Sequence, residues 1–460
     1  MTSEDNIKDR MTDALKRCTA DYAEIRFESD DSALVSFRGR ESDRMSVSST
    51  HGGIVRACTR GGWGIVAFES LDRLDERLRE ACRCAALCGR ETTQLAETPI
   101  VDIERPAAMT RDFRGVPLDE KIALADRTNA LVLGAHPAIE SSHVAYTEQF
   151  RTVRFASSRG SWFMEERPRV VFRISATARD GSLMQRAHDS VGSATDYHAA
   201  AALEAKANDI GKRAAALLKA PKPEGGPTTV VLNPLMAGVF IHEAFGHLSE
   251  ADHLYENPRM REMMRLDREI GVQTLNVVDD GTWPHSIGSL ACDDEGTPAS
   301  KTCLIRAGRV AGHLHSRETA ARMDAAPTGN ARAVGRHHAP IVRMTNTLIE
   351  NGTDTPESLF KGVDRGYYAC DYFGGQTALE MFTFSSAYAY RIENGKIGAM
   401  VRDLTLSGNL FETLRAIDGI ANDQRLYQGG GGCGKGGQSP LPVGLGAPHI
   451  RIRNIVAGGS

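Results

Sequence analysis

The sequence predicts an α+β protein with two domains, a mixed α/β amino-terminal domain and a β-rich carboxyl-terminal domain built around one helix. The chain has 460 residues, more than one ordinary hydrophobic core needs. The segment PKPEGGP at 221–227 holds three prolines and two glycines, which is typical of a linker. Strand and helix patterns alternate before this segment, whereas strand-like runs dominate after it. We therefore expect domains at 1–220 and 228–460, joined by the linker 221–227.

The amino-terminal domain is predicted to open with a meander of five short strands. Short β-rich runs such as YAEIRF, SALVSF and WGIVAF are separated by Gly, Asp and Arg. Apolar residues then recur at helical spacing before further strands follow. The predicted elements are strands between 22 and 70, helices at 71–90 and 117–135, strands at roughly 140–177 and an alanine-rich helix at 198–220.

The carboxyl-terminal domain opens with TTVVL, a β-branched run that predicts a buried strand. Asn233 then suits a helix cap and Pro234 suits the first helical position, where its missing N–H is not needed. A helix is therefore expected over NPLMAGVFIHEAFGH. The remaining sequence is rich in Gly and Thr, and its strand-like runs lie at 301–310, 341–350, 387–397 and 449–455.

Composition and charge exclude several functional classes. Hydrophobic residues make up 41% and charged residues 25% of the chain, as in globular proteins. The net charge is −4, and basic and acidic residues are interspersed along the chain. Neither nucleic acid nor a membrane surface is therefore an expected partner. Neither a signal peptide nor a membrane span is evident, and nine scattered cysteines do not form a disulfide framework. We expect a cytoplasmic protein with reduced thiols.

The strongest chemical motif is HEAFGH, which places His242, Glu243 and His247 on the predicted helix. Imidazole nitrogens bind zinc, and a glutamate beside a ligating histidine can deprotonate a water, as in helical HExxH peptidases. In a regular helix, however, residues five apart are about 140° out of phase and roughly 7.5 Å apart along the axis. The helix must deform or end here, and Gly246 makes a π-bulge or a broken turn easier.

A non-functional interpretation of this motif is also open, because a histidine in an apolar run is often an ordinary core residue. It does not explain why a core helix would also bury Glu243, since an unpaired buried carboxylate is unfavourable.

A catalytic zinc needs a third protein ligand, and Cys433 in QGGGGCGKGGQ is the candidate. The segment 429–436 also resembles the phosphate-binding pattern GxxxxGK[ST], which would indicate a nucleotide-binding enzyme. The position that needs a hydroxyl is Gly436, however, and GGQSPLPVG follows where a helix should begin. Flanking glycines suit a thiolate that approaches a metal closely.

These motifs resemble the TldD/PmbA family of zinc metallopeptidases. In that family an HExxxH helix and a late cysteine in a CGKxGQ loop form the metal site, and here the matching segments are 242–247 and 433–438. Further similar segments include DDEGTPASKTCLIRAGRVAGHLHSRETAARM, PTGNARA, FGGQ, YRIENGKIG, LSGN and PHIRIRN, so the resemblance covers nearly the whole chain. The chain keeps all four motif residues and so resembles the active, TldD-like branch.

The resemblance implies one zinc ion per chain on His242, His247 and Cys433, with Glu243 as general base. It implies that the substrates are peptides or unfolded proteins, which are drawn into a cleft. It also implies that the amino-terminal domain helps to form both this cleft and the dimer contacts. The expected assembly is a homodimer, or a heterodimer with an inactive TldE/PmbA-like paralogue. A non-catalytic peptide-binding subunit would share the fold without needing Glu243.

Three other groups are expected to be structural. Cys82, Cys84 and Cys88 form a CxCxxxC pattern without a nearby fourth ligand, so ordinary helix thiols are the preferred interpretation. His313 and His315 share one face of a strand, where one could stabilise an oxyanion, but a structural pair is at least as well supported. The acidic segment CDDEG at 292–296 predicts a solvated turn, which could also line the cleft.

Overall fold

A computed structural model describes residues 3–90, 94–430 and 432–459 of the chain. The predicted α+β class is confirmed, with a first half that mixes helices and strands and a second half dominated by strands. In the first half the helices are α1 (Ser3–Leu15), α2 (Leu74–Cys88), α3 (Leu118–Gly134), α4 (Tyr197–Ala201) and α5 (Ala207–Lys219). The strands are β1 (Tyr22–Arg38), β2 (Glu41–Thr59), β3 (Gly62–Phe68), β4 (Asp102–Arg105), β5 (Ile139–Ser157), β6 (Trp162–Asp180) and β7 (Leu183–Ser193). Short 3₁₀ turns cover Phe113–Gly115 and Ala202–Lys206.

The first half is built on one seven-stranded sheet in the order β3-β2-β1-β5-β6-β4, with β7 paired to β6. Helix α2 packs on β2 and β3, and α3 and α5 pack on β5 and β6. The sequence predicts one helix over the alanine-rich segment, but the 3₁₀ turn at 202–206 divides it. This tighter turn redirects the chain so that α4 and α5 both pack against β7.

The amino-terminal meander has two long strands and one short strand where the sequence predicts five short ones. Strand β1 pairs along its length with β2 and nearly as far with β5, so its polar middle does not break it. Glu28, at the start of that polar stretch, is buried between Arg26 at 2.7 Å and Arg151 at 2.6 Å. Glu28, one of the charges that resemble a turn in the sequence, therefore belongs to a buried ionic network.

The second half contains most of the strands. Its helices are α6 (Pro234–Ile241), α7 (Ala251–Leu254), α8 (Pro258–Met263), α9 (Arg317–Arg322) and α10 (Leu410–Arg415). Its strands are β8 (Gly226–Leu232), β9 (Val277–Asp280), β10 (Lys301–Arg306), β11 (Arg309–Val310), β12 (Ala331–Arg332), β13 (Ile341–Val342), β14 (Asn346–Ile349), β15 (Arg365–Ala378), β16 (Met381–Glu393), β17 (Lys396–Val401), β18 (Leu404–Asn409), β19 (Ile417–Ile420), β20 (Arg425–Tyr427), β21 (Cys433–Lys435), β22 (Gln438–Leu441), β23 (Gly444–Ala447) and β24 (Ile450–Gly459). A π turn covers His242–Gly246, and 3₁₀ turns cover His247–Ser249 and Pro356–Leu359.

Five strands of the second half form a closed ring of pairings, from β15 through β8, β24, β18 and β16 back to β15. A second, open sheet has the order β11-β10-β9-β14-β23-β20. Helix α6 packs between them, against β8 and β15 on one side and β14, β20 and β23 on the other. Because α6 is enclosed in this way, nearly all of its residues are buried, as its uniformly apolar sequence requires.

The acidic segment at 292–296 is not the solvated turn that the sequence predicts. Asp293, Asp294 and Glu295 are all buried where the two halves of the chain meet. Arg56 lies 3.2 Å from Glu295, and Arg167 lies 3.0 Å from Asp294. The prediction is wrong because the arginines that neutralise this turn come from β2 and β6, more than a hundred residues earlier in the sequence.

Two further observations bear on the predicted organisation. Strand β8 begins at Gly226, so the last two residues of the predicted linker 221–227 already belong to a strand. The division of the chain at this segment stays a prediction. Within the described part of the chain, no helix is both long and apolar enough to cross a membrane.

Candidate metal centre

The candidate site begins with the cap of helix α6. The side chain of Asn233 accepts a hydrogen bond from the backbone N–H of Met236 at 2.9 Å, and Pro234 occupies the first turn, both as predicted. The amide of Asn233 also donates to Asp371 at 2.8 Å, which ties the start of the helix to β15. The helix is therefore fixed at its beginning and packed on all sides before it reaches the motif.

The predicted deformation of the helix is present as a π turn over His242–Gly246. The backbone N–H of His247 donates to the carbonyl of His242, a bond between residues five apart. This wider turn brings positions 242 and 247 to the same side, and their ring centroids lie 5.3 Å apart. A spacing that a regular helix would not tolerate thus becomes a pair of adjacent imidazoles.

Packing, and not an unusual backbone conformation, favours glycine at position 246. Its backbone is in the ordinary helical region, at φ −57° and ψ −48°, so no unusual conformation demands glycine. A Cβ atom at this position would lie 2.1 Å from the sulfur of Met344, which is fully buried. The glycine therefore makes room for the strand region beside the π turn.

Cys433 completes a three-residue cluster with the two histidines. Its sulfur lies 3.3 Å from Nε2 of His242 and 3.3 Å from Nε2 of His247, and it is buried. In tetrahedral zinc geometry, a sulfur and a nitrogen ligand would be about 3.5 Å apart. The three donor atoms therefore fit a zinc ion, and they form the one such group found among the described residues.

The electrostatics of this cluster favour a thiolate at Cys433, paired with protonated imidazole that must lose its proton when a metal binds. Burial raises the pKa of the Cys433 thiol, but the neighbouring His242 and His247 outweigh burial and lower the pKa to about 5. Burial lowers the pKa of His247, whereas its hydrogen bonds to Cys433 and Glu250 raise the pKa to about 10. The thiolate, which is the form that binds metals, is thus favoured at neutral pH.

Glu250 and Lys435 support the cluster from behind, and sequence analysis missed the first of them. Glu250 is fully buried, with its carboxylate 3.0 Å from Nδ1 of His247. Lys435 lies 3.0 Å from Glu250 and 2.6 Å from Asp252. Because Glu250 engages Nδ1, Nε2 of His247 is left to face Cys433, the arrangement seen in ligating histidines. Its position three residues after His247 was a usable signal.

The glycines before Cys433 are explained by close packing. A Cβ at Gly429 would lie 2.5 Å from the backbone of Ser190, and one at Gly192 would lie 2.4 Å from the carbonyl of Gln428. Arg173 on β6 donates to the carbonyl of Gly430 at 2.9 Å. The loop that carries the cysteine is therefore pressed against β7 and held by the first half of the chain.

The same loop lacks the features of a phosphate-binding loop. Strands β21 and β22 form a hairpin, with Cys433 opposite Leu441, in place of the helix that would supply aligned N–H groups. Lys435, which such a loop would aim at a phosphate, is engaged by Glu250 and Asp252.

Glu243 stands at the edge of the cluster. Its carboxylate lies 3.9 Å from Nε2 of His247, and its side chain is 35% exposed. It lines a cleft of about 510 Å³ together with His242 and Cys433. Residues of β5, β6 and β7 line the same cleft, so both halves of the chain build it.

The other sequence candidates lie outside this cleft. His313 and His315 face each other at 6.1 Å between ring centroids, and His313 bonds the carbonyl of Met264 at 2.8 Å. The sulfur of Cys82 lies 3.8 Å from that of Cys18, and Cys82 does not belong to the group of potential metal ligands found among the described residues. All nine cysteines are free thiols.

Three family models match the chain. They are described as PmbA/TldA metallopeptidase domain 1 at residues 23–86, central domain at 111–220 and C-terminal domain at 225–459. The fold and these matches define the class of the protein, a metallopeptidase. A metalloprotease of Synechocystis is 42% identical over 96% of this chain and 95% of its own length. The chain belongs to the PmbA/TldD metallopeptidase family.

Two further relatives are informative. A protein of Saccharolobus solfataricus named zinc metalloprotease TldD homolog is 30% identical over 74% of this chain and 76% of its own length. The crystal structure of TldE from Thermococcus kodakarensis superposes with a TM-score of 0.75 at 17% identity, covering 98% of this chain and all of that one. The second similarity concerns the fold alone.

Proposed function

We propose that this metallopeptidase binds one zinc ion through His242, His247 and Cys433 and hydrolyses peptides or unfolded polypeptide segments with Glu243 as general base. The observation that carries the proposal is the convergence of two imidazole nitrogens on one thiolate at 3.3 Å, beside a carboxylate that opens into a cleft. The name of the Saccharolobus relative supports zinc as the metal.

The roles of the residues follow from their positions. A bound zinc ion would supply a Lewis acid that polarises the scissile carbonyl and acidifies the attacking water. Glu243 accepts the proton of that water and delivers it to the leaving amine. Glu250 holds the ring of His247, and burial keeps bulk water away from His242 and Cys433. The partial exposure of Glu243 leaves it accessible from the cleft.

The decisive experiment compares metal content and peptide hydrolysis in the wild type and in Glu243→Gln. We expect about one zinc per chain in both proteins and loss of hydrolysis only in the variant, because an amide cannot accept the proton. Zinc loss in the variant would make Glu243 a ligand or a structural residue. Unchanged turnover would remove Glu243 from the mechanism, and a metal-free protein with full activity would end the proposal. A peptide-binding subunit would hold peptides without cleaving them.

The assembly and setting of the protein complete the proposal. We infer a dimer, with identical chains unless an inactive TldE/PmbA-like paralogue is co-expressed, since two-fold dimers are the commonest assemblies. A monomer mass from light scattering of an active sample would contradict it. We also retain the domains 1–220 and 228–460, which the change of family model between 220 and 225 supports. Residence in the cytoplasm is supported by the nine free thiols and is testable by cell fractionation.

A further inference from the structure

One wall of the cleft is formed by strands β6 and β7. The register pairs Ser175 on β6 with His188 on β7, and Arg173 and Arg186 lie two residues from these positions. Side chains two apart along a strand share a face, and all four side chains line the cleft that contains the metal-ligand cluster. We call these four residues the basic wall.

Arg173 carries a positive charge into the cleft without an acidic partner. Its guanidinium donates to the carbonyl of Gly430 at 2.9 Å, and no carboxylate lies within ion-pair distance of it among residues 3–90, 94–430 and 432–459. Burial lowers the pKa of Arg173 below its ordinary value, with no acidic neighbour to oppose the shift. A partly buried guanidinium in this state is stabilised when an anion binds beside it.

Arg186 adds a second charge on the same wall. It is exposed to the cleft, and its guanidinium donates to the hydroxyl of Ser175 at 3.2 Å. In the described chain it also has no carboxylate within ion-pair distance. His143, from the neighbouring strand β5, lines the cleft beside these residues and raises the density of nitrogen donors there.

Each carboxylate that lines the cleft already has a bonding partner or a proposed catalytic role. Asp189 pairs with Lys206 at 2.9 Å, and Asp371 accepts from Asn233 at 2.8 Å. The remaining carboxylate, Glu243, is assigned to proton transfer. The cleft therefore contains guanidinium donors that no internal acid neutralises, and a planar guanidinium matches a carboxylate in charge and geometry.

We propose that the basic wall binds a carboxylate of the peptide substrate, supplied by an acidic side chain or by a free carboxyl terminus close to the scissile bond. The inference rests on the proposed function in treating the occupant as a peptide. It adds a substrate class: peptides that bring a carboxylate to Arg173 and Arg186 are preferred over uncharged ones, and basic peptides are disfavoured.

The test measures binding in the zinc-loaded Glu243→Gln protein, where peptides are held without being cleaved. Three fluorescein-labelled peptides share one Ala/Val/Ser sequence: an uncharged peptide with an amidated carboxyl terminus, the same peptide with a free terminus, and the amidated peptide with a central Glu. A charged hydrogen bond of the expected strength favours a carboxylate-bearing peptide by about 10- to 100-fold in Kd. Comparing the free-terminus peptide with the Glu peptide distinguishes the two sources of the carboxylate.

The variant Arg186→Gln should remove most of this preference, and Arg186→Lys should keep part of it. Arg186→Glu should shift the preference towards a peptide with a central Lys. Arg179→Gln is the matched control, because Arg179 lies on β6, the strand paired with that of Arg186, but pairs with Glu140 outside the cleft. Arg173 is left unchanged, since it also holds the loop that carries Cys433. Zinc content is measured in each variant to verify that the cluster is intact.

The possible outcomes separate this inference from the proposed function. Equal binding of the three peptides by the zinc-loaded protein would overturn the inference and leave the peptidase proposal intact. A preference that Arg179→Gln removes as much as Arg186→Gln does would also overturn it. A carboxylate preference that depends on Arg186, in a wild-type protein that cleaves none of the peptides, would support the basic wall and contradict the peptidase proposal.

Discussion

Nδ1 of His247 lies 3.0 Å from the carboxylate of Glu250, a fully buried acid that also contacts Lys435. The contact fixes the ring and directs Nε2 towards Cys433. Burial alone would raise the pKa of Glu250, but His247 and Lys435 outweigh it and lower the pKa, so the acid stays ionised. The chain thus keeps a negative charge behind an imidazole that we propose as a metal ligand.

Replacing Glu250 with Gln should therefore weaken zinc binding while leaving the three ligand side chains in place. Loss of such a supporting contact typically lowers metal affinity by about 10- to 100-fold. Competition with a zinc chelator measures the affinity, and Glu256→Gln, at an exposed position close by, is the control. If Glu250→Gln lowers only the free energy of unfolding, Glu250 does not position His247.

Cys433→Ala should lower zinc content and peptide hydrolysis together, because only two protein ligands remain. The fold should persist, since Cys433 lies on the short hairpin of β21 and β22. Cys303→Ala removes a thiol outside the cluster and should change neither property. Circular dichroism checks the fold, and retention of zinc and activity by Cys433→Ala would show that the sulfur is not a ligand.

Gly246→Ala should destabilise the protein by about 1–3 kcal/mol, because the added methyl group overlaps the buried sulfur of Met344. In the double variant Gly246→Ala/Met344→Ala, the shorter side chain at position 344 leaves room for the added methyl group. The double variant should therefore lose less free energy of unfolding than the sum of the losses in the two single variants. Chemical denaturation measures each free energy of unfolding. Gly134→Ala, where a Cβ meets nothing within 4 Å, is the control. Strictly additive losses would contradict a direct contact.

Asp294→Asn should destabilise the junction between the two halves by about 3–5 kcal/mol, because it leaves buried guanidinium groups without their acid. The matched control is Asp72→Asn, which breaks an exposed pair with Arg10 and should change stability very little. Denaturant titration of both variants gives the comparison. A similar loss in both would show that burial of Asp294 does not matter.

The same network gives a direction for acid denaturation. Burial raises the pKa of Asp294, but Arg167, Arg26 and Arg151 outweigh it and hold the pKa below the ordinary value. A lowered folded-state pKa means that this stabilisation is complete above the unfolded-state pKa of about 3.9 and is lost as the pH falls below it. Wild type should lose stability faster than Asp294→Asn in that acidic range. Parallel curves would contradict the assignment.

How far the sequence predicted the molecule depended on whether the deciding contacts were local. The start of helix α6 and the need for a deformed turn were predictable, because a cap, a proline and a five-residue spacing act within one or two turns. The length of β1 and the burial of Asp294 were not, because arginines on distant strands neutralise Glu28 and Asp294. The site shows the same limit, since the spacing of Glu250 from His247 was a local signal whereas its contact with the distant Lys435 was not.

Cys433 follows His242 by 191 residues in the chain. At a ribosomal rate of about 5–20 residues per second, roughly 10 to 40 seconds pass between the synthesis of these two side chains. For that interval a nascent polypeptide carries the histidines and Glu243 without the thiol, and the loop that will hold it has not yet been translated. Under the proposed assignment of the metal ligands, a nascent chain therefore cannot yet cleave other newly made, unfolded chains or itself.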